Sequence, residues 1–195
     1  MSDAERKALR FLVDVERARR SFWDYCNVLA PDFYLPDRGY LYRVCSRLQE
    51  FIHNDVGVLI VNAPPRHGKS RTASKYVEWV MGQDPTFKIM TGSYNETLST
   101  VFSSAVRDTI SANKVNPYDI VYSDIFPETK IKRGDAAKNI WSLEGSEVKS
   151  YLATSPTGTA TGFGADMLVI DDIIKSAQEA NTTTILAKHW DWFTN

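Results

Sequence analysis

The chain has 195 residues, 43% apolar and 24% charged, enough for one ordinary globular core. That composition excludes a disordered tail, a collagen-like repeat and a disulfide-stapled miniprotein. Lys plus Arg number 23 against 24 Asp plus Glu, a net charge of -1, so any nucleic-acid contact has to be a local patch rather than a bulk field. The two cysteines, Cys26 and Cys45, form no Cys-x-x-Cys pair and no Cys/His cluster, which argues against zinc and for free thiols in a reducing compartment. The first residues lack the apolar stretch of a signal peptide, and no apolar run approaches the roughly 20 residues that span a bilayer. A soluble, intracellular chain is expected, with no membrane partner.

In chain order, residues 3 to 20 mix acids and bases around Leu9, Leu12, Val13 and Val15 at helical spacing. Arg17, Arg19 and Arg20 read as a solvated face balanced by Asp14 and Glu16, with phosphate contact as the alternative. A second short helix starts at Phe22 and has to end by Pro31. The next segment, Pro31 to Gly39, holds two prolines, a glycine and two aromatics, the composition of a structured loop. From Tyr40, the residues Leu41, Val44, Leu48, Phe51 and Ile52 mark an amphipathic helix. It leads into Val58-Leu59-Ile60-Val61, a continuous apolar run that predicts a parallel strand covered on both faces.

After Pro64 and Pro65 a helix is predicted from Lys69 to about Met81, then a short strand at Phe87 to Thr91. Leu98, Val101, Phe102, Ala105, Val106 and Ile110 predict a long helix starting near Asn95 and broken at Asn116-Pro117. Residues 139 to 153 read as a hairpin about Gly145-Ser146. A Gly/Thr stretch from Ser155 to Gly164 precedes the apolar run Met167 to Ile170, and the last 20 residues read as helix. Strands alternating with helices predict a three-layer α/β domain with a mainly parallel sheet. Residues 1–55 form a helical lead-in and 56–195 the core.

Chemistry concentrates at Ala63-Pro64-Pro65-Arg66-His67-Gly68-Lys69-Ser70, between a predicted strand and a predicted helix. In that context Gly-Lys-Ser reads as a P-loop, the Walker A motif. Pro64 to Ser70 is the expected nucleotide-binding segment: its successive backbone N–H groups and the helix N-terminus make a partly positive hollow for a chain of phosphates. Gly68 allows close backbone approach, Lys69 reaches the β- and γ-phosphates, and the Ser70 hydroxyl ligates Mg²⁺. Ala63 stands where the usual pattern has its first glycine. The matching Walker B motif is Met167-Leu168-Val169-Ile170-Asp171-Asp172, an apolar strand ending in two acids. Asp171 is the expected second Mg²⁺ ligand, directly or through water, and Asp172 the group that orients and deprotonates the attacking water. ATP and Mg²⁺ are the cofactors these residues call for.

The segment Ala63 to Ser70 resembles the P-loop of the large terminase subunit of tailed bacteriophages, and so does Thr161-Gly162-Phe163-Gly164-Ala165-Asp166 running into Leu168 to Asp172. The resemblance covers the chain from about Phe33 onward. It implies a P-loop NTPase of the additional-strand type, an ATP-hydrolysing motor that drives double-stranded DNA through a portal into a procapsid in the infected host cytoplasm. It also implies self-association into a ring on the portal protein, and a small terminase subunit as partner. The coupling motif and nuclease domain of that family would follow the acid-bearing strand and are expected to lie beyond this chain. By the same resemblance Arg66, inside the loop, acts on the reacting phosphates together with Lys69 and Asp172. Arg107 and Arg133 are candidates for a finger supplied to a neighbour, although Lys130 to Arg133 reads equally as a solvated loop. An adenine-recognising glutamine is expected upstream; Gln49 lies late in its helix, so Tyr34 and Tyr40 are alternatives, either as base contacts or as packing residues. Two other functions share these motifs: a helicase-like DNA-dependent ATPase, against which Ile173-Ile174 after the acids argues, and a nucleotide-binding assembly module without turnover.

Overall fold

A computed structural model describes residues 1–54, 57–158 and 162–194. Val56, the expected start of the core, and Thr161, in the terminase-like stretch, lie outside the described residues. Along the chain run α1 (Asp3–Arg20), α2 (Phe22–Leu29), α3 (Gly39–His53), α4 (Lys69–Gln83), β1 (Ile89–Gly92), α5 (Glu96–Ile110) and α6 (Tyr122–Ile125). β2 (Ile131–Ala136), β3 (Ile140–Leu143), β4 (Tyr151–Thr154), β5 (Met167–Ile170), α7 (Ala177–Ala180) and α8 (Thr183–Thr194) follow. The protein is of mixed α/β class. Among the described residues no helix is long and apolar enough to cross a membrane. The chain divides into two compact units, Met1–Gln83 with Thr109–Thr129, and Asp84–Asp108 with Lys130–Asn195.

The first unit is helical. A reciprocal cap opens α1: Ser2 Oγ accepts from the Glu5 amide at 3.2 Å while the Glu5 carboxylate accepts from the Ser2 amide at 2.7 Å. Ser21 ends α1 and caps α2, its Oγ accepting from the Asp24 amide. The core is aromatic. Phe22 meets Tyr76 edge-on at 5.3 Å between ring centroids, and Phe22, Tyr25, Tyr34, Tyr76, Trp79 and Tyr122 are all buried. Their polar tips are mostly matched: Trp79 Nε1 donates to Ala18 O at 3.2 Å and Tyr122 OH to Glu78 O at 3.0 Å. Within this packing lies a buried carboxylate, Glu78, which accepts from Tyr25 OH at 2.8 Å and from Lys75 Nζ at 2.9 Å. Burial pushes the Glu78 carboxyl up, against the opposing pull of Lys75 and the hydrogen bonds. Lys75 Nζ also donates to Thr109 Oγ1 at 3.1 Å. The network thereby fixes α4 to α2 and to the end of α5. Gly82, near the end of α4, lies so close to Phe126 that a Cβ there would enter the ring, which explains a poor helix former at that position.

The second unit is built on a five-stranded mixed sheet in the order β2-β3-β4-β1-β5. β1 runs parallel to both β4 and β5, while β3 pairs antiparallel with β2 and β4. β4 is buried along its whole length, and the Tyr151 ring stacks on Trp141 of β3 at 4.6 Å. Ser103 of α5 accepts from Trp141 Nε1 at 2.9 Å, and Thr91 hydrogen bonds Tyr151 OH at 2.7 Å. The expected hairpin at 139–153 is present, turned by Gly145 at φ +80° with Ser146 N donating to Leu143 O.

Three local expectations are modified. Val58 to Val61 forms no strand; Val58 is 71% and Ile60 76% exposed. An apolar run is a strand only when another backbone takes up its N–H and C=O groups, and the helical unit has no strand among its described residues. Conversely, Lys130 to Arg133 reads as a possible loop, but Ile131 to Arg133 belong to β2, an edge strand whose Lys132 and Arg133 suit a solvated edge. The C-terminal helix comes in two pieces, interrupted at Asn181 and Thr182, both poorer helix formers than the Ala177-Gln178-Glu179-Ala180 before them.

Candidate functional site

The segment from Ala63 to Ser70 belongs to the helical unit and ends where α4 begins, at Lys69. Two of its residues hold left-handed backbone, Arg66 at φ +63° and Gly68 at φ +81°. Such a conformation is ordinary for glycine and uncommon for arginine. The consequence is a loop that folds back on itself. Lys69 Nζ donates to Ala63 O at 2.8 Å, spanning the loop from its last residues to its first. His67 Nδ1 lies 2.9 Å from Pro65 O, and because a carbonyl only accepts, that nitrogen carries the proton. The Thr72 amide donates to Gly68 O at 2.8 Å as the first helical bond. Ser70 is exposed on that first turn, as are Pro64, Pro65, Arg66 and His67, while Gly68 and Lys69 are half-buried. The expected phosphate contacts are thus contiguous, with the lysine tethered by a neutral acceptor that a phosphate oxygen, carrying charge, can displace.

Of the two tyrosines, Tyr34 is fully buried and shares a hydrogen bond of 3.1 Å with Thr72 Oγ1, so it packs rather than contacts a ligand. Burial raises its phenol far above the ordinary range. Tyr40 is half-buried and meets the His67 ring edge-on at 5.6 Å, beside the loop. Gln49 is spent structurally: its Oε1 accepts from Phe22 N at 2.8 Å and its Nε2 donates to Arg20 O at 3.0 Å.

The acid pair belongs to the sheet unit. Asp166 sets the start of β5 by exchanging hydrogen bonds with Lys88, its carboxylate accepting from Lys88 N and its own amide donating to Lys88 O, both at 2.8 Å. At the other end Asp171 N donates to Gly92 O at 2.9 Å and Tyr94 N to Asp172 O at 3.1 Å. The two acids are therefore fixed through their backbones, and among the described residues neither carboxylate has a hydrogen-bond or ion-pair partner. Asp171 is half-buried; Asp172 is exposed and sits at φ +48°, a left-handed conformation that Asp tolerates better than most residues. Trp192 of α8 lies over Gly92, where a Cβ would press on its ring. Arg107 is half-buried, its guanidinium 3.5 Å from Asp108 and within reach of Ala137 O, whereas Arg133 is exposed on β2.

Ser70 offers a hydroxyl in the helical unit and Asp171 a carboxylate in the sheet unit, each an oxygen donor of the kind Mg²⁺ takes while keeping several of its waters. Among the described residues no three His, Cys, Asp or Glu side chains come together as an all-protein metal site. A feature not anticipated from the motifs is the contact of Phe33 with Gly68; the signal for it was the Pro- and aromatic-rich segment from Pro31 to Gly39. No protein-family model matches this chain, and no curated protein is similar to it in sequence.

Proposed function

We propose that this chain is an Mg²⁺-dependent ATPase of the additional-strand P-loop type, acting as the motor subunit that moves double-stranded viral DNA into a procapsid. The observation that carries the ATPase proposal is the phosphate loop, with left-handed Arg66 and Gly68, Lys69 drawn across it and a helix beginning at Lys69. The motor assignment rests on the resemblance of the two motifs to the terminase large subunit. Lys69 binds the β- and γ-phosphates and the loop from Pro64 to Ser70 cradles them. Ser70 and Asp171 hold Mg²⁺, which, when bound, offsets charge on the phosphates. Asp172 takes the proton from a water whose oxygen attacks the γ-phosphorus; the bond to the β-phosphate bridging oxygen breaks, giving ADP and phosphate. Arg66 stabilises charge on the transferred group. The proposed partners are DNA, the portal protein, the small terminase subunit and further copies of the chain in a ring, at the portal in the host cytoplasm.

One observation favours a second function, nucleotide binding without turnover. Val58 to Val61 forms no strand, so the loop lacks the sheet anchor expected on its N-terminal side. Turnover separates the two. A ring motor completes its site with a neighbour's arginine, a contribution of roughly 10³ to 10⁵ in rate in related phosphoryl-transfer enzymes. Phosphate release per subunit is therefore expected to be slow in dilute solution and to rise with protein concentration. Fast release independent of concentration excludes a shared site, and no release at any concentration, with ATP bound, leaves the binding module.

A further inference from the structure

Between α2 and α3, the loop from Pro31 to Arg38 closes onto the phosphate loop through one side chain. The Phe33 ring lies against Gly68 with its Cζ foremost, so close that a Cβ on that glycine would enter the ring. Two guanidinium groups hold the ring in place, Arg71 at 4.5 Å and Arg38 at 4.9 Å from its centroid. Arg38 Nη1 also donates to Phe33 O at 3.1 Å, and Arg71 faces the Asp32 carboxylate at 3.8 Å. On the other side Tyr34, the next residue, bonds Thr72 in the first turn of α4, and Asn27 Nδ2 donates to Tyr34 O at 2.7 Å. Phe33 is thus fixed from both flanks with its leading edge on Gly68, one of the two left-handed residues of the loop. A half-buried phenylalanine gains little from burial alone, and this one is stacked by two cations and aimed at backbone.

We infer that Phe33 is a positioning residue for ATP: its ring fixes the left-handed turn at Gly68, and with it the direction in which the Gly68, Lys69 and Ser70 amides face the phosphates. The inference rests on the phosphate-loop function proposed above. Because contact is at Cζ, two opposite changes have the same consequence. Phe33→Ala removes the stop, and Phe33→Tyr keeps the ring and both cation contacts but puts an oxygen on Cζ, where Gly68 leaves no room for it.

The test measures MgATP affinity by calorimetry, thermal midpoint, and the Gly68 and Lys69 amide resonances without nucleotide, in the full chain and both variants, with Lys69→Ala as control. Phe33→Ala and Phe33→Tyr are each expected to bind MgATP about tenfold more weakly, the scale of effect of a small displacement in a positioned site. Phe33→Tyr should shift both amide resonances while melting with the parent; should Phe33→Ala not fold, Phe33→Tyr alone decides. Parent-like affinity in Phe33→Tyr, or unmoved Gly68 and Lys69 resonances, overturns the inference and leaves Phe33 a packing residue. If Lys69→Ala binds MgATP as the parent does, or the parent binds none, the phosphate-loop function itself fails and takes this inference with it.

Discussion

Lys69→Ala is expected to bind MgATP about ten- to a hundredfold more weakly than the parent while keeping its fold. The size follows from what the ammonium does. A hydrogen bond to a charged group contributes about 1.5 to 3 kcal/mol, and each 1.4 kcal/mol is a factor of ten in affinity. Lys69 Nζ donates to Ala63 O, a neutral carbonyl. Exchanging that acceptor for phosphate oxygens gains charge-assisted bonds without first ordering a free side chain. Lys69 lies at the start of α4 and is half-buried, so its removal leaves the aromatic core about Trp79 and Tyr76 intact. The check is calorimetry with MgATP beside a thermal melt. A ligand at 100 times its dissociation constant adds about 2.7 kcal/mol of stability, so the parent's melt should rise with MgATP and that of Lys69→Ala should rise far less. Equal affinities would remove the phosphate-loop assignment.

Asp172→Asn should separate binding from chemistry. The residue follows β5 by two positions and is exposed; its carbonyl accepts from Tyr94 N, and among the described residues its carboxylate has no hydrogen-bond partner. Asparagine is nearly isosteric and tolerates the same left-handed backbone, so the local conformation at φ +48° persists. What it lacks is a basic oxygen. Loss of a positioned base costs roughly 10²-fold or more in rate, so phosphate release is expected to fall by at least that factor with MgATP affinity unchanged. Asp171→Asn should instead weaken the dependence on Mg²⁺, because it alters a proposed ligand rather than the base. Retained turnover in Asp172→Asn transfers the base to another group and leaves the rest standing.

The elements that sequence alone located are those whose stability is local. α1, α3 and α5 advertise themselves by apolar residues at helical spacing, and α2 by the proline that follows it. β1 and β5 are legible as short apolar runs, and the β3–β4 hairpin by its glycine turn. Errors arise where a partner decides. Val58 to Val61 has the composition of a buried strand but, among the described residues, no strand beside it in its unit, whereas β2, with Lys132 and Arg133 along it, looks like loop and becomes a strand because β3 supplies its hydrogen bonds. The candidate site shows the same division. The loop and the acid pair are sequence-local and could be named residue by residue. The contact of Phe33 with Gly68 spans two loops and depends on two cations being brought to one ring, and the choice between Tyr34 and Tyr40 turns on burial, which periodicity does not report for an irregular segment.

The central claim is that this chain hydrolyses MgATP with its own phosphate loop. The measurement is steady-state phosphate release by the full chain at high protein concentration, with and without Mg²⁺ and with and without double-stranded DNA, beside Lys69→Ala in every condition. The account predicts release that requires Mg²⁺, increases with DNA, weakens as salt rises because local Lys and Arg contacts release counterions, and disappears in Lys69→Ala. Release that persists in Lys69→Ala, or none from the parent at any concentration with Mg²⁺ and DNA present, would contradict it.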